Sequence, residues 1–518
     1  MRVIFTLLLS SFLTTSLRSL LWSSTRFAVL AFSVCWALAS SFGAESAKPN
    51  IVFIMADDLG YNDLTCQGAT KLKTPNIDRL AKEGIRFTDA HTPAGLCCPT
   101  RYGVLTGRYP WRRKQQTWAS PGAALLIEEK RMTTASLMKQ AGYATGIVGK
   151  WHLGFGSAKQ KVDWNAELKP GPLEIGFDYF FGDVSNRWGA YVENHRIVGL
   201  RADDPIRIEG QKVVSGKSAF TMKNEDNAST LHTKAMAFIE QHKDEPFYLH
   251  YVPNNIHTPL TPNAKFAGTS EAGKYGDFVH ELDWSVGELL ALLDKLKLTE
   301  RTLVIFSSDN GGVYEREGFG HGHRSCAPLN GQKGDVWEGG NRVPFLVRWP
   351  GRIAPGTTSK QVICLTDMLS TFAAITGQSL PDDAGPDSFN VLPAMLGEAK
   401  SEVRPNLVVQ SGSSSYFEKR REGLWAVREG KWKLVMGQGS GYSTEKTDRA
   451  PYLKFADVGM TNSDYTPDGQ LKPDAPPAQL YDLDSDPGET KNLWREHPDI
   501  VAKLTKLFEK LCEDKRSR

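Results

Sequence analysis

Asn50-Ile-Val-Phe-Ile-Met-Ala56-Asp57-Asp58 is the key to the architecture of this chain. An unbroken apolar run ending in two carboxylates reads as a strand covered on both faces, because a strand with one wet face would alternate apolar and polar residues. The same construction recurs along the chain. Tyr143 to Val148 precedes Gly149-Lys150-Trp151-His152, and Phe247 to Val252 precedes Pro253-Asn254-Asn255-Ile256-His257. Thr302 to Phe306 precedes Ser307-Ser308-Asp309-Asn310, and Phe345 to Trp349 ends at Pro350.

Helical patterns separate these runs. Thr74-Pro75-Asn76-Ile77-Asp78 starts one, with proline in the first turn and Gly84 near its end. From His280 to Leu298, the residues Leu282, Val286, Leu289, Leu290, Leu293 and Leu296 share one face. A third helix is expected from Thr366 to Thr376. Strands alternating with helices give an α/β fold: a mostly parallel central sheet flanked by helices. Ligands bind such sheets outside the carboxyl ends of the strands. Asp57, Lys150, His257 and Asp309 each follow a different expected strand, so the fold can bring them to one rim.

The pattern changes after Ala384. Leu424 to Val427 and Lys431 to Met436 read as a hairpin turning on Arg428-Glu429-Gly430, and Gly437 to Pro477 reads as a long polar loop. Pro498 to Leu511 reads as an amphipathic helix. The expected division is a leader over 1–44, a catalytic domain over 45–384 and a smaller C-terminal α+β subdomain over 385–518.

The leader carries Arg2, Arg18 and Arg26 and no acid, then the apolar run RFAVLAFSVCWALASSFGAES, the pattern of a secretory signal. Cleavage is expected after Ala39 or Gly43, giving an exported protein, periplasmic or extracellular, without a stable membrane span. The second apolar run is short for a full span, and Cys35 follows Val34 rather than the small residue of a lipoprotein site. The whole chain has a net charge of +3, so losing the three leader arginines leaves the mature protein near neutral. No long basic run is present, which argues against nucleic acid as a partner. Of the 7 cysteines, Cys66, Cys326, Cys364 and Cys512 allow several pairings that spacing leaves open.

Chemistry concentrates in Cys97-Cys98-Pro99-Thr100-Arg101, which continues to Leu105-Thr106-Gly107-Arg108. On its residues alone, Cys97 is a thiolate nucleophile assisted by Arg101 or a buried structural cysteine. Asp57-Asp58 and Asp309-Asn310 are hard oxygen ligands suited to calcium or magnesium, or ordinary loop residues capping helices. The full string resembles the signature of the type I, formylglycine-dependent sulfatases, Cys-x-Pro-Ser-Arg followed by Leu-Thr-Gly-Arg. Thr100 departs from the usual serine but keeps the hydroxyl. Gly149-Lys150-Trp151-His152-Leu153-Gly154, His257 before Thr258-Pro259, and Lys333 in Gly331-Gln-Lys-Gly-Asp-Val-Trp-Glu-Gly-Gly340 resemble further blocks of that family.

The resemblance covers roughly Lys48 to Leu493 and implies an arylsulfatase A-like enzyme on the alkaline-phosphatase-like scaffold. It implies that Cys97 is oxidised to formylglycine by a formylglycine-generating or anaerobic sulfatase-maturating enzyme. It implies Ca2+, or Mg2+, bound by Asp57, Asp58, residue 97, Asp309 and Asn310. Arg101, Lys150 and Lys333 would then neutralise the sulfuryl group. His152 would act as base on the aldehyde hydrate, and His257 or Lys333 would protonate the leaving alcohol. Lys150, His257 and Lys333 would contact the substrate, a sulfated carbohydrate or aryl sulfate. His321, His323 and Arg324 either line the sugar pocket or lie exposed in a Gly-rich loop, and Asn186-Arg187-Trp188 is either a sugar contact or a loop with a buried Trp. Rival readings are a phosphonate monoester or phosphodiester hydrolase on the same scaffold, a non-catalytic binder of sulfated glycans, and a thiol-dependent hydrolase.

Overall fold

Alternation within one strand organises both cores. The computed structural model describes residues 48–113, 119–185, 188–209, 212–314, 321–411, 424–444 and 454–518. Asn50–Ala56 is a strand with every residue buried. Ile51, Phe53 and Met55 enter one hydrophobic cluster, whereas Val52, Ile54 and Ala56 enter another. Successive side chains leave a strand on opposite faces, so both faces of the sheet are covered. The helices Thr134–Gln140 and Met368–Thr376 contribute to the first cluster. Pro75–Lys82, Asn224–Gln241 and Gly273–Lys295 contribute to the second.

Asn50–Ala56 pairs in parallel with Phe247–Val252 on one side and Thr302–Ser308 on the other. Ala144–Gly149 pairs in parallel with Phe247–Val252, and Tyr179–Asp183 with Ala144–Gly149. These parallel strands form the centre of a 10-stranded sheet, and their carboxyl ends share one rim.

The run at Phe345 departs from the expectation that it is one more strand of the same kind. Phe345–Arg348 runs antiparallel to Thr302–Ser308. A parallel return needs a crossover to the far end of the sheet. Phe345 instead pairs with Ser307, at the carboxyl end of Thr302–Ser308, so the chain re-enters the sheet from the rim after the short helix Glu338–Asn341. Ile85–Phe87 and Tyr191–Glu193 add antiparallel pairings toward the two edges.

The long helix starts at Gly273, ahead of the expected His280. Gly273, Gly276 and Asp277 resemble loop residues, but Tyr275, Phe278 and Val279 are buried and prolong the apolar face. Thr366 lies in a 3-10 turn, Leu365–Asp367, that leads into Met368–Thr376.

A separate antiparallel sheet takes Leu407–Gln410, Trp425–Glu429, Trp432–Val435 and Gln479–Asp482 in that order. The hairpin turns on Gly430 and Lys431 rather than on Arg428-Glu429-Gly430, since Glu429 already pairs with Trp432. Gly430 supplies the positive φ, +55°, that such a two-residue turn requires. Pro498–Glu513 lays Leu504 and Leu511 on this sheet. The polar stretch 437–477 contains a short helix, Phe455–Val458; its residues 445–453 lie outside the described residues, as do the leader 1–44 and Asn186-Arg187. All six described cysteines are free. Among the described residues no helix is long and apolar enough to cross a membrane.

Candidate active site

The rim collects what the sequence disperses. Asp57 and Asp58 follow the strand Asn50–Ala56, Lys150 and His152 follow Ala144–Gly149, and Asp309 and Asn310 follow Thr302–Ser308. His257 lies in the loop after Phe247–Val252. Gly149, at φ +122°, allows the turn into Lys150: a Cβ there would stand 1.9 Å from the Val252 carbonyl oxygen. Asp58 and His152 themselves adopt left-handed φ values, 67° and 56°. Such conformations are uncommon outside glycine and cluster at functional sites.

Cys97 is the first residue of a buried 10-residue helix, Cys97–Thr106. Arg101 lies one turn on, so the two side chains share a face. The helix N-terminus also contributes partial positive charge beside residue 97. Thr100, the departure from the family serine, uses its hydroxyl to donate to the Ala94 carbonyl at 3.0 Å.

Carboxylates and cations interlock around Cys97. Lys150 Nζ donates to both oxygens of Asp57, at 2.7 and 3.0 Å. Arg101 donates through Nε and Nη2 to Asp309 Oδ2, at 3.1 and 2.6 Å, and through Nη1 to the Lys150 carbonyl at 2.8 Å. Lys333 Nζ donates to Asp58 Oδ2 at 2.7 Å, and His257 Nε2 stands 3.7 Å from that oxygen. The Cys97 Sγ lies 3.4 Å from His152 Nδ1. Asp57, Cys97 and Asp309 offer donor atoms within 4.8 Å of one another, and so do Asp57, Asp58 and His257.

These contacts set the protonation states. Burial works to raise the Asp57 carboxyl, but Lys150, His257, Arg101 and Lys333 outweigh it and hold the group well below the usual range. Burial, and after it the Asp57 carboxylate, push Asp309 up to about 7. Burial, then Lys150 and Arg101, keep His152 well below its ordinary value and so neutral. Burial, then Lys333, hold His257 at about 4. Lys333 moves the other way: burial disfavours its ammonium, but Asp58 and its neighbours raise it. Burial also raises the Cys97 thiol. A site with a thiol rather than a thiolate does not suit a thiol-dependent hydrolase.

A hard dication fits this donor set. The Asn310 amide nitrogen is committed to Asp58 Oδ1 at 2.8 Å and to the Gly311 carbonyl at 2.9 Å, while its buried oxygen has no hydrogen-bond partner. Asp309, driven toward protonation by burial and a like charge, is the kind of carboxylate that a nearby cation relieves. Oxygen ligands of these types suit calcium or magnesium.

His323 stands apart from this cluster. It is buried, with Nε2 bonded to Asp63 Oδ1 at 2.6 Å and its ring beside Tyr275. His321 is exposed and Arg324 half-buried in the same loop. Trp188 is half-buried against Trp164, with ring centroids 4.4 Å apart. Sequence reasoning missed a supporting pair: Asn254 Nδ2 donates to Asp183 Oδ2 at 2.6 Å, and the Asp183 carbonyl accepts from the Trp151 amide. Asp183 ends a buried strand as Asp57 follows one, so its position at a strand end was an available signal.

A centre that pairs three buried acids with three cations becomes positive when a dication joins it. That charge suits the capture and cleavage of an anionic ester, so the sheet and its rim define a hydrolase of anionic esters. Residues 49–378 match the sulfatase family model, and the chain belongs to the sulfatase family as a sulfuric ester hydrolase. It is 36% identical to N-acetylgalactosamine-6-O-sulfatase of Bacteroides thetaiotaomicron, over 90% of this chain and 94% of that protein. It is also 36% identical to human arylsulfatase A, over 89% of this chain and 86% of that protein. A solved structure from the Bacteroides thetaiotaomicron work on glycosaminoglycan metabolism aligns with a TM-score of 0.77 at 35% identity, covering 90% of this chain and 100% of that one. Phosphonate monoester hydrolase of Agrobacterium radiobacter, with a TM-score of 0.58 at 16% identity, shares the fold.

Proposed function

We propose that this protein removes sulfate from sulfated carbohydrates through a formylglycine made from Cys97, with Ca2+ held by Asp57, Asp58, Asp309 and Asn310. The observation that carries the reading is the single buried cluster joining Cys97 to both acidic pairs and to Arg101, Lys150 and Lys333. The sulfur of Cys97 stands in for one hydroxyl of the formylglycine hydrate. When bound, the ion supplies positive charge to the sulfuryl oxygens and lowers the pKa of an oxygen beside it. The hydrate supplies one hydroxyl to attack sulfur and a second whose deprotonation expels sulfate.

The chain's own residues do the rest. Arg101, anchored on Asp309, and Lys150, anchored on Asp57, present fixed charge to the sulfuryl group at no cost in reorganisation. His152 is neutral, so its Nδ1 can take a proton from residue 97. Lys333 keeps its proton and can release it to the leaving oxygen. His257 is neutral before substrate binds, its Nδ1 turned to the Thr258 carbonyl at 2.7 Å and Nε2 toward Asp58. It therefore suits orienting the ester better than donating the first proton.

A sulfated sugar is supported by the similarity to N-acetylgalactosamine-6-O-sulfatase. The maturation partner is a formylglycine-generating or anaerobic sulfatase-maturating enzyme acting on Cys97. We expect export of the chain, with the mature N-terminus at Ser40 or Ala44; N-terminal sequencing of secreted protein checks this, and an intact leader contradicts it. The division into a catalytic domain over 45–384 and a C-terminal subdomain over 385–518 belongs to the same reading.

Rates on a panel of sulfated mono- and disaccharides, set beside a phosphodiester and a phosphonate monoester, test the function. Preference for either phosphorus ester would overturn it. Removing the ion with EDTA is expected to abolish turnover, and added Ca2+ to restore it. At 100 times its dissociation constant the ion adds about 2.7 kcal/mol of stability, so the melting temperature rises on calcium addition. Unchanged turnover and melting after exhaustive chelation would remove the metal from the account.

A further inference from the structure

The loop that carries Lys333 is gripped from two sides. On one side it lies against the elements that bear the rest of the site. The Lys333 amide donates to the Gly312 carbonyl at 2.9 Å, just beyond Asp309-Asn310. The Gly334 amide donates to the Gly95 carbonyl at 2.6 Å, just before Cys97. The approach is so close that a Cβ on Gly95 would stand 2.7 Å from the Asp335 carbonyl oxygen.

On the other side the grip comes from the C-terminal part of the chain. Asp335 is fully buried, and its carboxylate accepts from the Ser443 amide at 2.8 Å, from the Ser443 hydroxyl, from the Ser440 hydroxyl at 2.9 Å and from the Gln332 amide at 2.9 Å. The Val336 amide donates to the Ser440 carbonyl at 2.7 Å, and Asp335 forms a β-bridge with Gly441. Farther along, Trp337 Nε1 donates to Gln479 Oε1 at 3.0 Å, and Lys433 Nζ meets Glu338 at 2.9 Å.

A buried carboxylate is costly unless donors reach it. Most of the donors to Asp335 come from Ser440 and Ser443, so docking of that segment holds this side of the loop in place. Lys333 is two residues away, between Gly331 and Gly334, whose φ values are +86° and +96°. The glycines on either side give it little rigidity of its own, and the Asp335 clasp adds to the hold of the Gly312 and Gly95 carbonyls.

We propose that Asp335, through Ser440 and Ser443, is a positioning residue for Lys333, so that the C-terminal subdomain sets the proton donor of the reaction. The inference rests on the role given to Lys333 above. As the S–O bond to the alcohol breaks, its electron pair goes to the leaving oxygen and the Lys333 ammonium proton joins it there. A poor leaving group, a sugar alkoxide, depends on that proton, whereas 4-nitrophenolate does not. A displacement near 1 Å can cost about 100-fold in rate. The clasp is therefore read by the difference between the two substrate classes.

The test compares Asp335→Asn, Ser443→Ala and Ser440→Ala with Lys333→Ala on a sugar sulfate and on 4-nitrophenyl sulfate. Circular dichroism and melting temperature monitor the fold. For Asp335→Asn or the paired serine variants, kcat on the sugar sulfate is expected to fall about 10-fold or more and kcat on the aryl sulfate about 3-fold or less, a part of the range general acids contribute. Lys333→Ala should show the same bias, larger. Equal losses on both substrates, or none on either, would overturn the proposal and leave Asp335 a fold anchor. If Asp335→Asn does not fold, the single serine variants decide the matter on the same criterion. Absence of bias in Lys333→Ala itself would show that the Lys333 role, rather than the link from Asp335, is at fault.

Discussion

Purified Cys97→Ala and Cys97→Ser proteins lose sulfate-ester turnover by about 10⁴-fold or more, while their melting temperatures stay close to that of the parent. The serine variant is the informative one. It keeps a hydroxyl at the position of Sγ, 3.4 Å from His152 Nδ1 and beside Asp57 and Asp309. It can therefore accept a sulfuryl group, but it has no second hydroxyl on the same carbon with which to expel sulfate. A first turnover followed by arrest is the expected kinetic signature, whereas the alanine variant shows no first turnover. Intact mass supplies the partner measurement, because conversion of cysteine to the aldehyde removes about 18 Da, a value set by the atoms exchanged in the oxidation. An active parent without that mass loss, or a serine variant that turns over steadily, would end the formylglycine account. The fold should survive either change, because residue 97 is small and its helix is buried along its whole length.

Asp57→Asn is the second large effect. Asp57 is fully buried, takes both hydrogen bonds from Lys150 and stands 3.7 Å from Arg101. The amide keeps the shape and removes the charge. Breaking one partner out of a buried ion pair costs about 3–5 kcal/mol, because the other charge is left uncompensated. The metal-free variant therefore melts well below the metal-free parent. Calcium no longer restores the difference, because a ligand of the proposed ion has gone. Turnover falls by about 10³-fold, equivalent to ~4 kcal/mol of lost transition-state stabilisation. Calorimetry with and without calcium reads the two effects separately. A variant that binds calcium and turns over as the parent does would remove Asp57 from the metal centre.

Both effects come from residues that were visible in the sequence. Asp57 and Asp309 close buried apolar runs, and Cys97 sits in a string specific enough to suggest its chemistry. The strands that carry the acidic pairs were legible for the same reason: a parallel strand buried on both faces has no polar alternation to confuse it. Phe345–Arg348 was legible as a strand but not in direction. Direction depends on the end of the sheet at which the chain returns, and Phe345 returns beside Ser307 at the carboxyl rim. His323 was a candidate for the sugar pocket by its place in a Gly-rich loop. Its Nε2 is bonded to Asp63, a partner 260 positions away that no local pattern announces.

The mostly parallel sheet, the family and the charged residues at the rim can all be read along the chain. All of these are written in short-range patterns: buried runs, their polar ends and one compact motif. How those charges are partnered emerges only from the folded chain. Lys150 meets Asp57, Arg101 meets Asp309, Lys333 meets Asp58, and Asp335 meets Ser440 and Ser443. Each of these pairings joins positions far apart in the chain. Each forms because a charge or dipole withdrawn from water must find its counterpart, and packing of the whole sheet fixes which counterpart is within reach.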